Sequence, residues 1–309
     1  MGVVTVHGGD IERIARDLGV DPDSLLDLSV SLNPVGPDVA ALAAAHLGSL
    51  RRYPDPTEGT RLLAGAIGVE TECLLLTNGG AEAIALLGEE LGGRVDEPEF
   101  SLHPRGPAAA PLWRSNPHNP TGRLAGPDER ADVWDEAFYP LTGRWTAADL
   151  RATAGVLRAT AADLLATAVV ASLTKVFGCP GLRLGYVIAA PDLIVRVAAR
   201  QPEWSVGTLA LAVLPELLQR ADLTGWARDI ACLRRRLTGL LAEHGLSPQP
   251  SDVNYLLCGA PPGFRGKLMR HGIVVRDCTS FGLTGVVRIA VPDDEGIERL
   301  SAVLDEVMS

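Results

Sequence analysis

Short apolar runs alternate with longer stretches of helical period along most of the chain. CLLLT (73 to 77) reads as a strand and AEAIALLGEEL behind it as a helix. DVWDEAF (132 to 138) repeats the pattern ahead of a long Ala/Leu stretch ending near Thr167, and VVAS (169 to 172) and LRLGYVIAA (182 to 190) supply two further strands. Strand and helix in alternation predict an α/β fold with a mainly parallel sheet. From about Ser205 the texture changes. Two helical stretches, 206 to 220 and 223 to 244, lead into NYLLC, GIVVRD and GVVRIAV, short strands interleaved with helices that include 293 to 308. A second, smaller α+β domain is expected there.

Near the N-terminus, Ile11, Ile14, Ala15 and Leu18 share one helical face, and LLDLSVSLNPVGP follows as an extended arm broken by proline. The proline-rich segment from Glu97 to Asn116 has no sustained period and reads as loop. The expected division is an N-terminal arm over 1–49 that also forms part of the small domain, a large domain over 50–204 that is short around 97–116, and a small domain over 205–309.

Composition narrows the class. The 309 residues are 47% hydrophobic and 21% charged, with a net charge of −10. No run approaches the roughly 18 apolar residues of a membrane span, and the acidic balance disfavours nucleic acid, which calls for a basic stripe. A small-molecule partner fits better. No secretory signal is visible, so a cytoplasmic location is expected. Five cysteines, widely spaced and without a C-x-x-C pair, argue against a disulfide framework and against a zinc site, so no metal is expected.

One residue stands out against this background. The chain has two lysines, Lys175 and Lys267, against twenty-six arginines, and Lys175 lies in ASLTKVFGCPGLRLGYV between a small hydroxylated run and a glycine turn. A lysine amine attacks an aldehyde only when unprotonated, which calls for burial and nearby positive charge; Arg183 could supply the charge. Ser172 and Arg183 would also suit a phosphate. TNGGAEAI (77 to 84) follows a strand and opens a helix, so the N–H groups of Gly79, Gly80 and Ala81 can cradle an anion; a plain glycine turn is the simpler alternative. Asp135 closes a strand, where a carboxylate can face a ligand or merely cap a helix.

These segments, with HGGD (7 to 10), LSVSLNPVGP, YPDP, NPHNPTG, DEAF, WSVGTLA, GIVVRDCTSFGL and VRIAV, run in order from one end of the chain to the other. Together they resemble fold-type I pyridoxal-phosphate enzymes of the aminotransferase class, close to histidinol-phosphate aminotransferases and closer to the threonine-phosphate decarboxylases of corrinoid biosynthesis. The resemblance implies pyridoxal 5'-phosphate as cofactor and Lys175 as its Schiff-base lysine. It puts Asp135 on the ring nitrogen, Asn119 on the phenolic oxygen, and Gly80, Ala81, Ser172 and Arg183 on the phosphate. Tyr53 would reach in from the partner of a homodimer. On the substrate side it implies Arg288 as a carboxylate clamp, with Asn119 beside it, and His7, Gly8, Asn33 and Arg276 around a phosphate on the substrate. Taken alone, Arg276 and Arg288 could be surface charges at strand edges, and His7 part of a frayed terminus.

Three differences from the family pattern matter. The segment from Glu97 to Asn116 is several tens of residues shorter than its counterpart, which normally adds sheet and helix to the large domain. FSLH puts His103 where an aromatic residue usually stacks on the cofactor ring. Pro292 follows VRIAV where many relatives have arginine. Phe138 in DEAF, in place of the tyrosine of DEAY, resembles the decarboxylase branch. The leading expectation is decarboxylation of L-threonine O-3-phosphate to (R)-1-aminopropan-2-ol O-phosphate in cobalamin synthesis. The alternatives are an aminotransferase for a phosphorylated amino acid or amino alcohol, and a catalytically silent relative that keeps the cofactor.

Overall fold

The unbroken apolar runs become strands buried on both faces, as a sheet sandwiched between helices requires. The computed structural model describes residues 8–146 and 168–308. Most of the Ala/Leu stretch ending near Thr167, and His7, lie outside the described residues.

Among the described residues two five-stranded sheets organise the fold. The first consists of β2 (Leu74–Asn78), β3 (Trp113–Ser115), β4 (Val133–Asp135), β5 (Ala168–Ser172) and β6 (Leu184–Ile188) in the order β2-β6-β5-β4-β3. β3, β4 and β5 pair in parallel, while β6 is antiparallel to both β5 and β2. Four strands therefore run one way and β6 runs against them. Along β5, Val169 and Ala171 face one apolar cluster and Ala168 and Val170 the other, the period-2 alternation of a strand.

Helices α1 (Ile11–Leu18), α2 (Val39–Ala45), α3 (Thr57–Ile67), α4 (Gly79–Leu91), the single turn α5 (Leu173–Val176), α6 (Pro191–Ala198), α7 (Thr208–Gln219) and α8 (Leu223–Glu243) follow in chain order. α4 and α6 cover one face of the first sheet through Ile84, Leu87, Leu193 and Val197. α3 and α7 cover the other through Leu63, Leu211, Leu214 and Leu217. Trp226 and Ile230 of α8 join this core, whereas Leu233, Leu237 and Leu241 of the same helix pack on the second sheet. The change of apolar cluster thus falls inside α8; α7 shares the helical texture of α8 but packs on the first sheet.

The second sheet has the order β1-β9-β10-β8-β7, from β1 (Leu26–Leu28), β7 (Ser247–Pro248), β8 (Tyr255–Gly259), β9 (Ile273–Asp277) and β10 (Val286–Ala290). The N-terminal arm supplies its edge, β1 pairing in parallel with β9. α9 (Phe264–Arg270), α10 (Asp294–Met308) and the second half of α8 bury one face against Val275, Val287 and Ile289. Arg276 and Arg288, one residue out of that alternation, stand on the opposite face as direct partners across β9 and β10. The segment expected as loop contains one short strand, β3. Its three residues are too few to show a period, and a proline-rich run precedes them.

Candidate functional site

The first sheet builds one wall from its strand ends. β2 runs into Gly79, whose positive φ of 77° lets the chain turn directly into α4. A side chain at Gly79 would collide with the Arg183 guanidinium, and one at Gly185 with the backbone of Gly79 and Gly80. These glycines bring the start of α4 against β6. Arg183 is itself in the left-handed region, φ 54°, which costs a non-glycine residue roughly 1–2 kcal/mol. That backbone, together with a hydrogen bond from Nη1 to the Pro180 carbonyl at 3.2 Å, holds the guanidinium beside the helix start. Ser172, the last residue of β5, caps the Lys175 turn by accepting from the Thr174 N–H at 3.2 Å.

β4 ends on Asp135. Its Oδ1 accepts from the Ala137 N–H at 3.0 Å, and its Oδ2 lies 2.9 Å from His103 Nε2. A carboxylate only accepts, so Nε2 carries the hydrogen. His103 is 2% exposed, with its ring against Phe100 and Trp113. This corrects the expectation that His103 stacks in the cofactor position. It stands behind Asp135 as the partner of that carboxylate, because the shortened segment folds tightly around Arg105, which donates to the Phe100, Ser101 and His103 carbonyls and pairs with Glu97. Phe100, three residues earlier, faces the cavity instead. Glu99 is buried behind His103 and accepts from the Ser115 N–H at 2.8 Å.

The cavity between the two sheets, about 310 Å³, is lined by Gly80, Ala81, Asn119, Asp135, Ser172, Lys175 and Arg183, and across from them by Gly8, Arg276 and Arg288. Lys175 Nζ lies 5.7 Å from the centre of the Phe138 ring, and burial, reinforced by Arg288, Arg183 and Arg276, pushes its amine down from 10.5 to about 8. An amine so placed is far more available as a nucleophile than an ordinary lysine, and it becomes mostly unprotonated once the pH rises above about 8.

The second sheet supplies the opposite wall. Arg288 lies over the Tyr255 ring at 4.7 Å and donates from Nη1 to Asn119 Oδ1 at 2.8 Å. A guanidinium only donates, so the Asn119 amide must turn its oxygen to Arg288 and keep its NH2 for another acceptor. Arg276 lies over the Phe281 ring at 5.1 Å. Burial first, then Arg288, brings Arg276 down to about 10, and burial also lowers Arg288. Among the described residues neither has a carboxylate partner, and the Nε of each is buried without one. Buried cations without counter-ions are costly, and two in direct register more so. An anionic ligand relieves both.

Two of the expected residues, Asn33 on the substrate side and Tyr53 on the cofactor side, lie outside the cavity of their own chain. Asn33 does not line the cavity; its Nδ2 donates to the Val176 carbonyl at 2.8 Å and its Oδ1 accepts from the Val35 N–H at 3.1 Å. The side chain is turned to the backbone beneath the cavity floor. Tyr53 is 79% exposed and pairs with Trp204 at 4.9 Å, outside the cavity of its own chain. Ser29, Val30 and Phe281 line the cavity without having been singled out, since no sequence signal separates them from ordinary arm and turn residues.

Pyridoxal phosphate fits this wall. Asp135, braced from behind, suits a protonated ring nitrogen, the amide NH2 of Asn119 suits a phenolic oxygen, and the start of α4 with Ser172 and Arg183 suits a phosphate.

Similarity to known proteins agrees with the geometry. Histidinol-phosphate aminotransferase from Symbiobacterium thermophilum is 29% identical over 360 residues, covering 97% of this chain and 96% of the relative. Histidinol-phosphate aminotransferase from Sinorhizobium meliloti, solved in complex with pyridoxal-5'-phosphate, superposes with a TM-score of 0.79 at 19% identity, over 98% of this chain and 95% of that one. L-threonine-O-3-phosphate decarboxylase from Porphyromonas gingivalis gives 0.71 at 22% identity, over 90% and 98%. Residues 102–304 match the family described as aminotransferase class I and II, and the chain belongs to that family of enzymes.

Proposed function

We propose that this enzyme holds pyridoxal 5'-phosphate through Lys175 and decarboxylates L-threonine O-3-phosphate to the phosphorylated amino alcohol. The observation that carries the reading is the pair Arg276 and Arg288: two adjacent buried guanidiniums without carboxylate partners among the described residues. A ligand that satisfies both brings two anionic groups. Threonine phosphate has a carboxylate and a phosphate, whereas histidinol phosphate has a phosphate and no carboxylate.

When bound, the cofactor supplies an electron sink next to the substrate's α-carbon. The chain's own residues decide what happens there. Arg288, tied to Asn119, would grip the carboxylate, and Arg276 with Gly8 would hold the phosphate, so the substrate is fixed at both ends. Binding energy at the remote phosphate then sets which bond at the α-carbon is aligned to break. After CO2 leaves, the Lys175 amine in its protonated form returns a proton to the α-carbon. Phe138 offers no hydroxyl and sets an apolar ring beside that amine.

Incubation of the purified, cofactor-loaded protein with L-threonine O-3-phosphate should release CO2 and a phosphorylated amino alcohol in equal amounts. A second reading, transfer of the amino group from a phosphorylated amine, is supported by the histidinol-phosphate aminotransferase relatives. In that case no CO2 appears, the cofactor accumulates in its amine form, and a keto acid reverses the change.

The active assembly proposed is a homodimer. Leu47, Leu50, Tyr53 and Trp204 are large apolar residues exposed in the single chain, and Tyr53 would complete the neighbouring site. Sedimentation of the cofactor-loaded protein should give twice the chain mass.

A further inference from the structure

Lys175 sits on a single helical turn, and one turn is not stable alone: its nucleus fixes several dihedrals for one hydrogen bond, and its last carbonyls have no partner within it. Something outside must hold it. On the N-terminal side Ser172 does so. On the C-terminal side the Phe177 and Cys179 N–H groups meet the Leu173 and Thr174 carbonyls. The Lys175 carbonyl accepts weakly from Gly178 N–H at 3.4 Å and more closely from the Asn33 N–H at 3.0 Å, and the Val176 carbonyl accepts from Asn33 Nδ2, 143 residues away, at 2.8 Å. The Asn33 side-chain oxygen accepts from Val35 N–H, so the amide plane is fixed at both ends.

The same arm touches the substrate wall. β1 lies beside β9, which carries Arg276; Ser29 and Val30 line the cavity; and fully buried Asn254, just before β8, donates from Nδ2 to the Leu32 carbonyl at 2.8 Å. Residues 29–33 thus form a short strap, tied to the second sheet at Leu32 and to the lysine turn at Asn33.

We propose that Asn33 is a positioning residue for Lys175 and not a ligand of the substrate, clamping the two carbonyls that close the lysine turn and linking that turn to the anion-binding wall. The inference rests on the reading of Lys175 as the cofactor amine. Its geometry excludes the simpler role: the amide oxygen and one amide hydrogen are engaged within the chain, and the residue is absent from the cavity wall.

The test uses the cofactor-loaded full chain with Asn33→Ala and Asn33→Asp. The Asp variant keeps the acceptor for Val35 but turns a carboxylate oxygen toward the Val176 carbonyl, so it loses the clamp while keeping the shape. Both should lower kcat on the phosphorylated substrate by about tenfold or more, leave KM within about threefold, and move the midpoint of the substrate-free pH titration of the cofactor's visible absorption by about half a unit or more. A KM raised about tenfold, with kcat and the titration unmoved, overturns the inference and makes Asn33 a ligand. Should the Ala variant fail to fold, the Asp variant and Asn33→Ser, which retains a short donor, give the same split. Lys175→Ala is the control for the underlying reading. Loss of borohydride-fixed cofactor supports it; survival of that covalent label overturns that reading and this inference with it, whereas an unmoved titration in the Asn33 variants overturns this inference alone.

Discussion

The two walls of the cavity are built to opposite electrostatic rules. On the first sheet the carboxylates are already engaged, Asp135 with His103 and Ala137 and Glu99 with Ser115, and Ser172 caps Thr174, although Thr174 Oγ1 and His103 Nδ1 stay buried without a hydrogen-bond partner. On the second, Arg276 and Arg288 lean on aromatic rings, keep unpaired Nε groups and have no carboxylate partner among the described residues. A group that stays bound through every cycle is best met by a surface already in its final arrangement, since such a surface needs no reorganisation. A ligand that comes and goes must contribute the missing charge itself. On the function proposed above, the wall with paired carboxylates would hold the cofactor and the wall of unpaired arginines the substrate.

The sharpest break comes from Lys175→Ala, which removes the amine and leaves the other groups of both walls in place. Turnover should fall on the order of a thousandfold or more, and borohydride should no longer fix the cofactor to the chain even at saturating pyridoxal phosphate. Next in size are the two arginines. Arg288→Gln should lower kcat/KM by about a hundredfold for every substrate bearing a carboxylate. Arg276→Gln should lower it about as much for threonine phosphate but hardly at all for threonine, abolishing the preference for the phosphorylated substrate. Equal losses for both substrates in Arg276→Gln would place the phosphate elsewhere.

How far the sequence foretold these walls depends on what each rests upon. The first sheet was legible because a buried parallel strand is an unbroken apolar run, and because a strand followed by glycines and a helix leaves little choice at Gly79 to Ala81. Lys175 was legible through its rarity. His103 was misread, since a stacking aromatic and a carboxylate's partner can occupy the same short motif, and only the packing of Phe100, Trp113 and Arg105 around the ring decides between them. The bond from Asn33 to the lysine turn was not legible, because a side chain's target 143 residues away leaves no local trace. The exchange of cores within α8 was invisible as well, for a helix has the same period whichever sheet it covers.

A smaller effect isolates the wall with paired carboxylates. His103→Phe keeps an aromatic of similar size but withdraws the donor to Asp135 Oδ2 and leaves that oxygen buried. Loss of one hydrogen bond to a charged group costs about 1.5–3 kcal/mol. Pyridoxal phosphate affinity, measured by fluorescence titration of cofactor-free protein, should drop about tenfold or somewhat more. KM for the substrate should hold, because Arg276 and Arg288 are untouched. A change in KM with unchanged cofactor affinity would mean that His103 serves the substrate after all.

The finest probe asks whether the two walls communicate through charge. Burial is the chief reason the Lys175 amine lies at about 8, and Arg288, Arg183 and Arg276 add to it in that order. Capture of pyridoxal phosphate by cofactor-free protein needs the unprotonated amine, so its rate should rise about tenfold per pH unit below 8 and flatten above it. Removing a neighbouring positive charge makes the protonated form less unfavourable and moves the midpoint upward. Arg288→Gln should shift it further than Arg276→Gln, and neither should return it to 10.5, because the burial that dominates remains. A downward shift in either variant, or a larger shift at 276 than at 288, would mean that the substrate wall acts on the lysine by some route other than its charge.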